Sequence, residues 1–419
     1  MYRLSPLILF LLLYLGTSIW LSDFYSVPIV VAFLFSAIYS LIAPGGTYKE
    51  RLTAFTSGVG ESTVGLMLLI FILSGAFAAT AKSMGAVDST VNMTLQLMPR
   101  SLLLPGIFIA SCFISFSIGT SCGTIAALTP VAVGLANATG VSIPLMVGLV
   151  VGGTYFGDNL SFISDTTIIA TQTQGCRMRD KFLTNIRIVL PCALLLMVVY
   201  YFIGKNIEPA ENLTDFDFVR IFPYLCVIVL ALMGVDVIIV LVIGLFSTFL
   251  IGTLQGNYTP LEWLHKANDG IMGMAELILC TLLASGMLAV IRHQGGIKYI
   301  ITKITRHVSG SRGAEMAIAM LVFLVNICTA NNTVAIITVG SISHEIAERF
   351  GIDPRRSASI LDTMSCFAQG ILPYGAQVLI AAGLASINPV AIIPYLYYPV
   401  LIGIAVILSI LFSHKIKTL

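Results

Sequence analysis

The run Gly157-Asp158-Asn159-Leu160-Ser161-Phe162-Ile163-Ser164-Asp165-Thr166-Thr167 sets two carboxylates seven residues apart inside an otherwise apolar stretch. On an intact helix that spacing puts both acids on one face. If the helix unwinds at Gly157–Ser161, main-chain carbonyls are freed beside them. Asp158, Asn159, Ser161, Ser164, Asp165 and Thr166 then supply the oxygen-only shell that suits Na+, with no thiolate or imidazole. A carboxylate withdrawn from water is neutralised by a metal cation or by a proton. Competition of Na+ and H+ for one carboxylate is sufficient for exchange, which makes Asp158 and Asp165 the candidate Na+ ligands. The structural alternative is that Asp165 only caps the following segment. Capping does not require an acid at membrane depth, where an ionised side chain is costly.

A second kind of interruption occurs twice, about 210 residues apart. The first copy is Gly119-Thr120-Ser121-Cys122-Gly123-Thr124, the second Cys328-Thr329-Ala330-Asn331-Asn332-Thr333. Each lies between apolar arms, in 104–137 and 313–348, and suits the tip of a re-entrant helical hairpin. Thr120, Ser121, Thr124, Asn331, Asn332 and Thr333 would line a site there. Helices starting just past each tip would present free N–H groups to an anion, while the preceding arms end in carbonyls for a cation. Small-residue helix packing is the bland alternative, but duplication in matching positions favours binding.

The elements that must position these residues are membrane spans. The 419 residues are 57% hydrophobic and 10% charged, with a mean hydropathy of +0.97; soluble domains carry roughly 25% charged residues. A net charge of +2 argues against nucleic acid as a partner. Eight scattered cysteines without a Cys-x-x-Cys pattern read as small apolar residues, with Cys122 at the first tip the exception. Residues 5–21 lack a small-residue cleavage site and read as a retained span, not a signal peptide.

Apolar windows place spans near 5–21, 26–43, 61–81, 144–174, 186–204, 219–235, 237–252, 271–291, 357–386 and 394–413. Two are long and interrupted: 144–174, and 357–386 at Gln369-Gly370-Ile371-Leu372-Pro373-Tyr374-Gly375. The chain aligns on itself with an offset of 209 to 211, pairing Ser74-Gly75 with Ser285-Gly286 and Pro144 with Pro354. The expected fold is all-α and polytopic. It has two repeats, 1–205 and 219–419, each of five spans plus a hairpin, joined by an extracellular linker over 206–218. An odd number of crossings inverts the second repeat. Seventeen of the 22 Lys and Arg fall on one face, leaving Lys82, Arg100, Lys205, Arg220 and Lys266 on the other. That bias puts both termini in the cytoplasm, and the expected location is the plasma (inner) membrane. No Lys or Arg is expected in the membrane core, so its acids need a cation or a proton.

Asp362 stands opposite Gly152 or Gly153 and reads either as a second protonation site or as a residue facing a water-filled cavity. Gln369 and Tyr374 are placed to touch solute. Glu61 and Glu276 lie near span ends and read as solvated. His344-Glu345 is followed by Glu348 where a zinc-protease helix needs His. An intramembrane aspartyl protease would leave the duplicated tips unexplained, and a passive channel suits mid-membrane acids poorly, so the chain reads as no enzyme.

The run 157–167 resembles the Gly-Asp-x-x-Ser-Pro-x-Ser-Asp-Thr-Thr signature of the NhaC family of Na+/H+ antiporters, departing at Phe162 for Pro and at Asn159, where Lys is common. Asn332-Thr333 is similar to the Ser-Asn-Thr tips of the wider ion-transporter superfamily. The resemblance implies secondary transport by alternating access, with Na+ and H+ as transported ions, no cofactor, and the lipid bilayer as surroundings. Relatives also exchange malate for lactate or take up amino acids, so a Na+- or H+-coupled carrier of a small organic solute is the second reading. The resemblance extends to dimers in some relatives, and a homodimer stays open.

Overall fold

Peptide groups inside a bilayer find no water to bond, so a chain this apolar satisfies them within helices. All regular structure among the described residues is helical. The computed structural model describes residues 2–17, 28–118, 121–161, 164–205, 207, 215–233, 235–306 and 308–412. Thr120, Phe162, the linker acids Glu208 and Glu211, the end of the first expected span and the final Lys415 and Lys417 lie outside them. Six described helices are long and apolar enough to cross a membrane, or seven if the bent pair Ala376–Ala385 and Pro389–Tyr395 counts as one. Other expected spans fall on shorter apolar helices, such as Ile29–Ile42 and Tyr397–Leu411. Outward-facing Leu194, Leu195, Val198 and Phe202 of the helix Met178–Gly204 expose the apolar surface a lipid environment requires.

The helix order over 48–204 recurs over 260–411. Tyr48–Val59 and Pro260–Gly273 each open with a capping box, Thr47 with Glu50 and Thr259 with Glu262. Ser62–Ser83 and Ala275–His293 follow, each leading to a shorter helix that starts after a left-handed glycine, Gly85 or Gly295. The first hairpin joins Arg100–Ile118 to Ser121–Thr139; the second joins Gly310–Thr329 to Asn332–Phe350. The second turns through Ala330, held at φ 50, a left-handed conformation rare outside glycine.

Both expected broken spans are broken, but the first interruption is displaced. The helix Ile143–Leu160 runs through Gly157, Asp158 and Asn159, and the Ser161 N–H still donates to the Gly157 carbonyl at 2.7 Å. The helix stops at Leu160 with Ser161 as its C-cap, and Asp165–Gln174 starts from Ser164 as its N-cap. Gly153 and Gly157 lie against the first hairpin arm. A Cβ at Gly157 would stand 2.4 Å from Ser115 Cβ, so only glycine admits this approach. Ser115 Oγ also donates to the Thr154 carbonyl at 2.7 Å. Asp158 therefore sits in the last turn of a rigid half-helix. The second span stops at Gly370 and resumes at Ala376, so Gln369 is the penultimate helical residue.

The two series interlock crosswise. The half-helix Asp165–Gln174 packs on the second hairpin's arm Asn332–Phe350, where Gln174 Nε2 donates to the Gly340 carbonyl at 2.8 Å. The half-helix Ala376–Ala385 packs on the first hairpin's arm Ser121–Thr139. Hairpins and breaks are thereby forced to meet.

Candidate functional site

They meet around a cavity of about 330 Å3. Ser121 and Cys122 come from the first hairpin, Asn331, Asn332 and Thr333 from the second. The first broken span contributes Asp158, Ser164, Asp165 and Thr166; the second contributes Gln369, Ala376 and Gln377. Ser62, Leu66, Met67 and Ile70 close one wall. Asp158 is buried and Asp165, first residue of its half-helix, is exposed to the cavity; they are the only charged residues among the described residues of the lining.

A hydrogen-bonded strap crosses all four interrupted elements. Gln369 Nε2 donates to the Ala330 carbonyl at 3.0 Å and to Gln377 Oε1 at 3.1 Å. Gln377 Nε2 donates to Ser121 Oγ at 2.9 Å, and the Ser121 side chain in turn bonds Asp158. Ser164 Oγ and Thr166 Oγ1 lie 2.9 Å apart beside Asp165. The amides fix the separation of the tips, and the hydroxyls bring oxygen close to the acids.

Not every residue singled out in the sequence reaches the cavity. Thr124 and Ser161 are buried away from the lining. Asn159 Nδ2 points backwards, donating to the Tyr155 carbonyl at 2.8 Å and to Tyr398 Oη at 3.3 Å. Tyr374 lines a separate, smaller cavity beside the Glu61–Arg292 ion pair, donates to the Ile327 carbonyl at 2.9 Å and meets Phe10 and Phe33 edge-on. Helix N–H groups at the second tip are already used. Thr333 N donates to Asn332 Oδ1 and Val334 N to Asn331 Oδ1, both at 3.0 Å, so this tip does not offer them to an anion.

The largest departure concerns charge. The sequence places Lys181 with Arg177 and Arg179 on a solvated face, yet its side chain is 1% exposed. Its ammonium lies 2.7 Å from Asp362 Oδ2, and the Asp362 side chain is 0% exposed. Nζ also donates to the Asn159 carbonyl at 2.9 Å and to Thr167 Oγ1 at 2.7 Å. Asn185 Nδ2 donates to Asp362 Oδ2 and to the Asn159 carbonyl, both at 2.8 Å. Asp362 thus lies outside the described cavity lining, paired with Lys181, and the carbonyl of Asn159, expected to be free for an ion, is occupied by protein donors. The signal for Lys181 was periodic. Lys181, Asn185, Val189, Cys192, Leu196 and Tyr200 form the buried stripe of Met178–Gly204. Gln377 carried a weaker signal, one amide in an apolar decapeptide.

Interrupted helices converging on an acid-lined cavity are an architecture of secondary transporters. The model of the Na+/H+ antiporter family matches residues 5–205 and 219–414, and the chain belongs to that family. The malate-2H+/Na+-lactate antiporter of Bacillus subtilis is 23% identical over 96% of this chain and 94% of its own length. The Na+/H+ antiporter NhaC of the same organism is 24% identical over 89% and 88%. Among solved structures, the YdaH transporter of Alcanivorax borkumensis matches at 12% identity over 86% of each chain, with a TM-score of 0.42.

Proposed function

We propose that the chain exchanges Na+ for H+ by alternating access, with Asp158 and Asp165 as the carboxylates that carry either ion. The observation that carries this reading is the cavity lining: two acids, no basic side chain, and otherwise oxygen-bearing or apolar residues. Such a site is neutralised by cations. Na+ binding from one side displaces protons from the carboxylates, and protons from the other side displace Na+. Thr166, Ser164, Ser121 and the amides of Asn331, Asn332 and Gln369 complete an oxygen shell. The recurring helix order and the crosswise packing support two inverted repeats, 1–205 and 219–419, rocking about this cavity. In this reading both termini are cytoplasmic in the plasma membrane. The test is Na+-driven proton flux in proteoliposomes. Asp165→Asn abolishes it; unchanged exchange overturns the assignment.

One observation supports a second reading, a Na+-coupled carrier of a small organic solute. About 330 Å3 is more room than a single sodium ion needs and reaches the range of small-molecule sites, roughly 300–1,000 Å3. The capped N–H groups at Thr333 and Val334 weigh against a carboxylate seated there. Thermal stabilisation of the purified protein by an amino acid or dicarboxylate only when Na+ is present would favour the carrier.

A further inference from the structure

Asp362 is the one acid of the second broken span, and it is withdrawn from the cavity behind the first. Three oxygens from separate elements converge on one point there. They are Asp362 Oδ2 of the helix Pro354–Gly370, the Asn159 carbonyl at the end of Ile143–Leu160, and Thr167 Oγ1 of Asp165–Gln174. All lie within 2.9 Å of Lys181 Nζ. A carboxylate, a freed main-chain carbonyl at a helix break and a hydroxyl are also the ligand types that bind Na+ in broken transporter helices. The point they surround is filled by an ammonium on a buried stem.

We propose that Lys181 is a tethered cation: its ammonium fills a cation site formed by Asp362, Asn159 and Thr167, so that Asp362 takes no mobile ion and exchange is left to the cavity acids. This rests on the reading of the cavity as a Na+ site, but it is separately testable. Asn185 keeps the cage assembled from behind, since its amide spans Asp362 and the Asn159 carbonyl. Removing the lysine leaves a buried carboxylate without its partner, a state that demands another cation. A fixed positive charge there permits Asp362 to stay charged without adding to the ion count per cycle.

The test is equilibrium binding of radioactive Na+ to the purified full-length protein in alkaline buffer, counted per chain. Lys181→Met is expected to bind one Na+ more than the unaltered protein, and Lys181→Met/Asp362→Asn to return to the original number. An unchanged number in Lys181→Met overturns the inference, as does retention of the extra ion in the double variant. If Lys181→Met does not fold, Lys181→Gln, which keeps a hydrogen-bond donor in the cage but no charge, is counted in its place: one extra Na+ supports the tethered cation, and an unchanged number overturns it. Absence of Na+ binding in the unaltered protein would instead remove the cavity reading. A gain of one ion on losing Lys181 would still stand.

Discussion

The two broken spans share a backbone device and differ in chemistry. Each is a buried helix that stops and restarts, and the restarted half lies against the hairpin of the other series. The first turns Asp158 and Asp165 into the cavity. The second turns amides there, Gln369 and Gln377, and keeps its acid behind, held by a lysine of the first series. The two spans thus separate two kinds of negative charge, one facing the cavity and one paired with a buried lysine. The difference lies in side chains, because both backbones provide helix ends.

The sharpest way to break this contrast is to remove the built-in cation. Uncoupling one partner of a buried ion pair costs about 3–5 kcal/mol, whereas replacing both is often neutral. Lys181→Met is therefore expected to lower stability in Na+-free detergent by about that amount, with most of it recovered in Lys181→Met/Asp362→Asn. Urea or thermal unfolding followed by circular dichroism measures both. A neutral single variant would show that the two acids do not differ in kind.

Next in size is the strap. Gln377→Leu removes the links to Gln369 and Ser121 while leaving the acids in place. Each hydrogen bond contributes about 1 kcal/mol net, so Na+ affinity is expected to fall about fivefold for one link and about thirtyfold if both act. Exchange at saturating Na+ should persist. Titration of Na+-dependent flux separates the two effects.

The smallest effect concerns a feature outside the spans. The Thr47 amide and hydroxyl hold the Glu50 carboxyl below its ordinary value of 4.5. A depressed carboxylate contributes stability that is present above the ordinary value and lost as pH falls through the folded one. Amide exchange in the first turn of Tyr48–Val59 should therefore quicken only in acid below the usual glutamate range. Glu50→Gln should remove that dependence without altering Na+ binding, in contrast to substitutions in the broken spans.

Much of the fold was legible because hydropathy and interruption are local signals. Thr, Ser and Asn runs within apolar segments mark the tips and breaks directly, and the structure gathers them at one cavity. What stayed hidden depends on partners distant in sequence. Gly157 packs directly on Ser115 some forty residues away, and its helix runs on to Leu160 where the local sequence suggested a break from 157. Lys181 resembles its exposed neighbours until the buried stripe it heads is traced along the helix. Its partner Asp362 lies 181 residues further on (362 − 181). Local charge counting treats a lysine beside two arginines as solvated, and only tertiary packing reverses that.

That the acids facing the cavity, Asp158 above all, hold the mobile sodium ion is the expectation on which the others depend. It is tested most directly by equilibrium binding of radioactive Na+ to purified Asp158→Asn in alkaline buffer, beside the unaltered protein. Saturable Na+ binding at this cavity should be lost while the melting temperature in detergent stays close to that of the parent. Binding with the parent's affinity and number of ions would contradict the account.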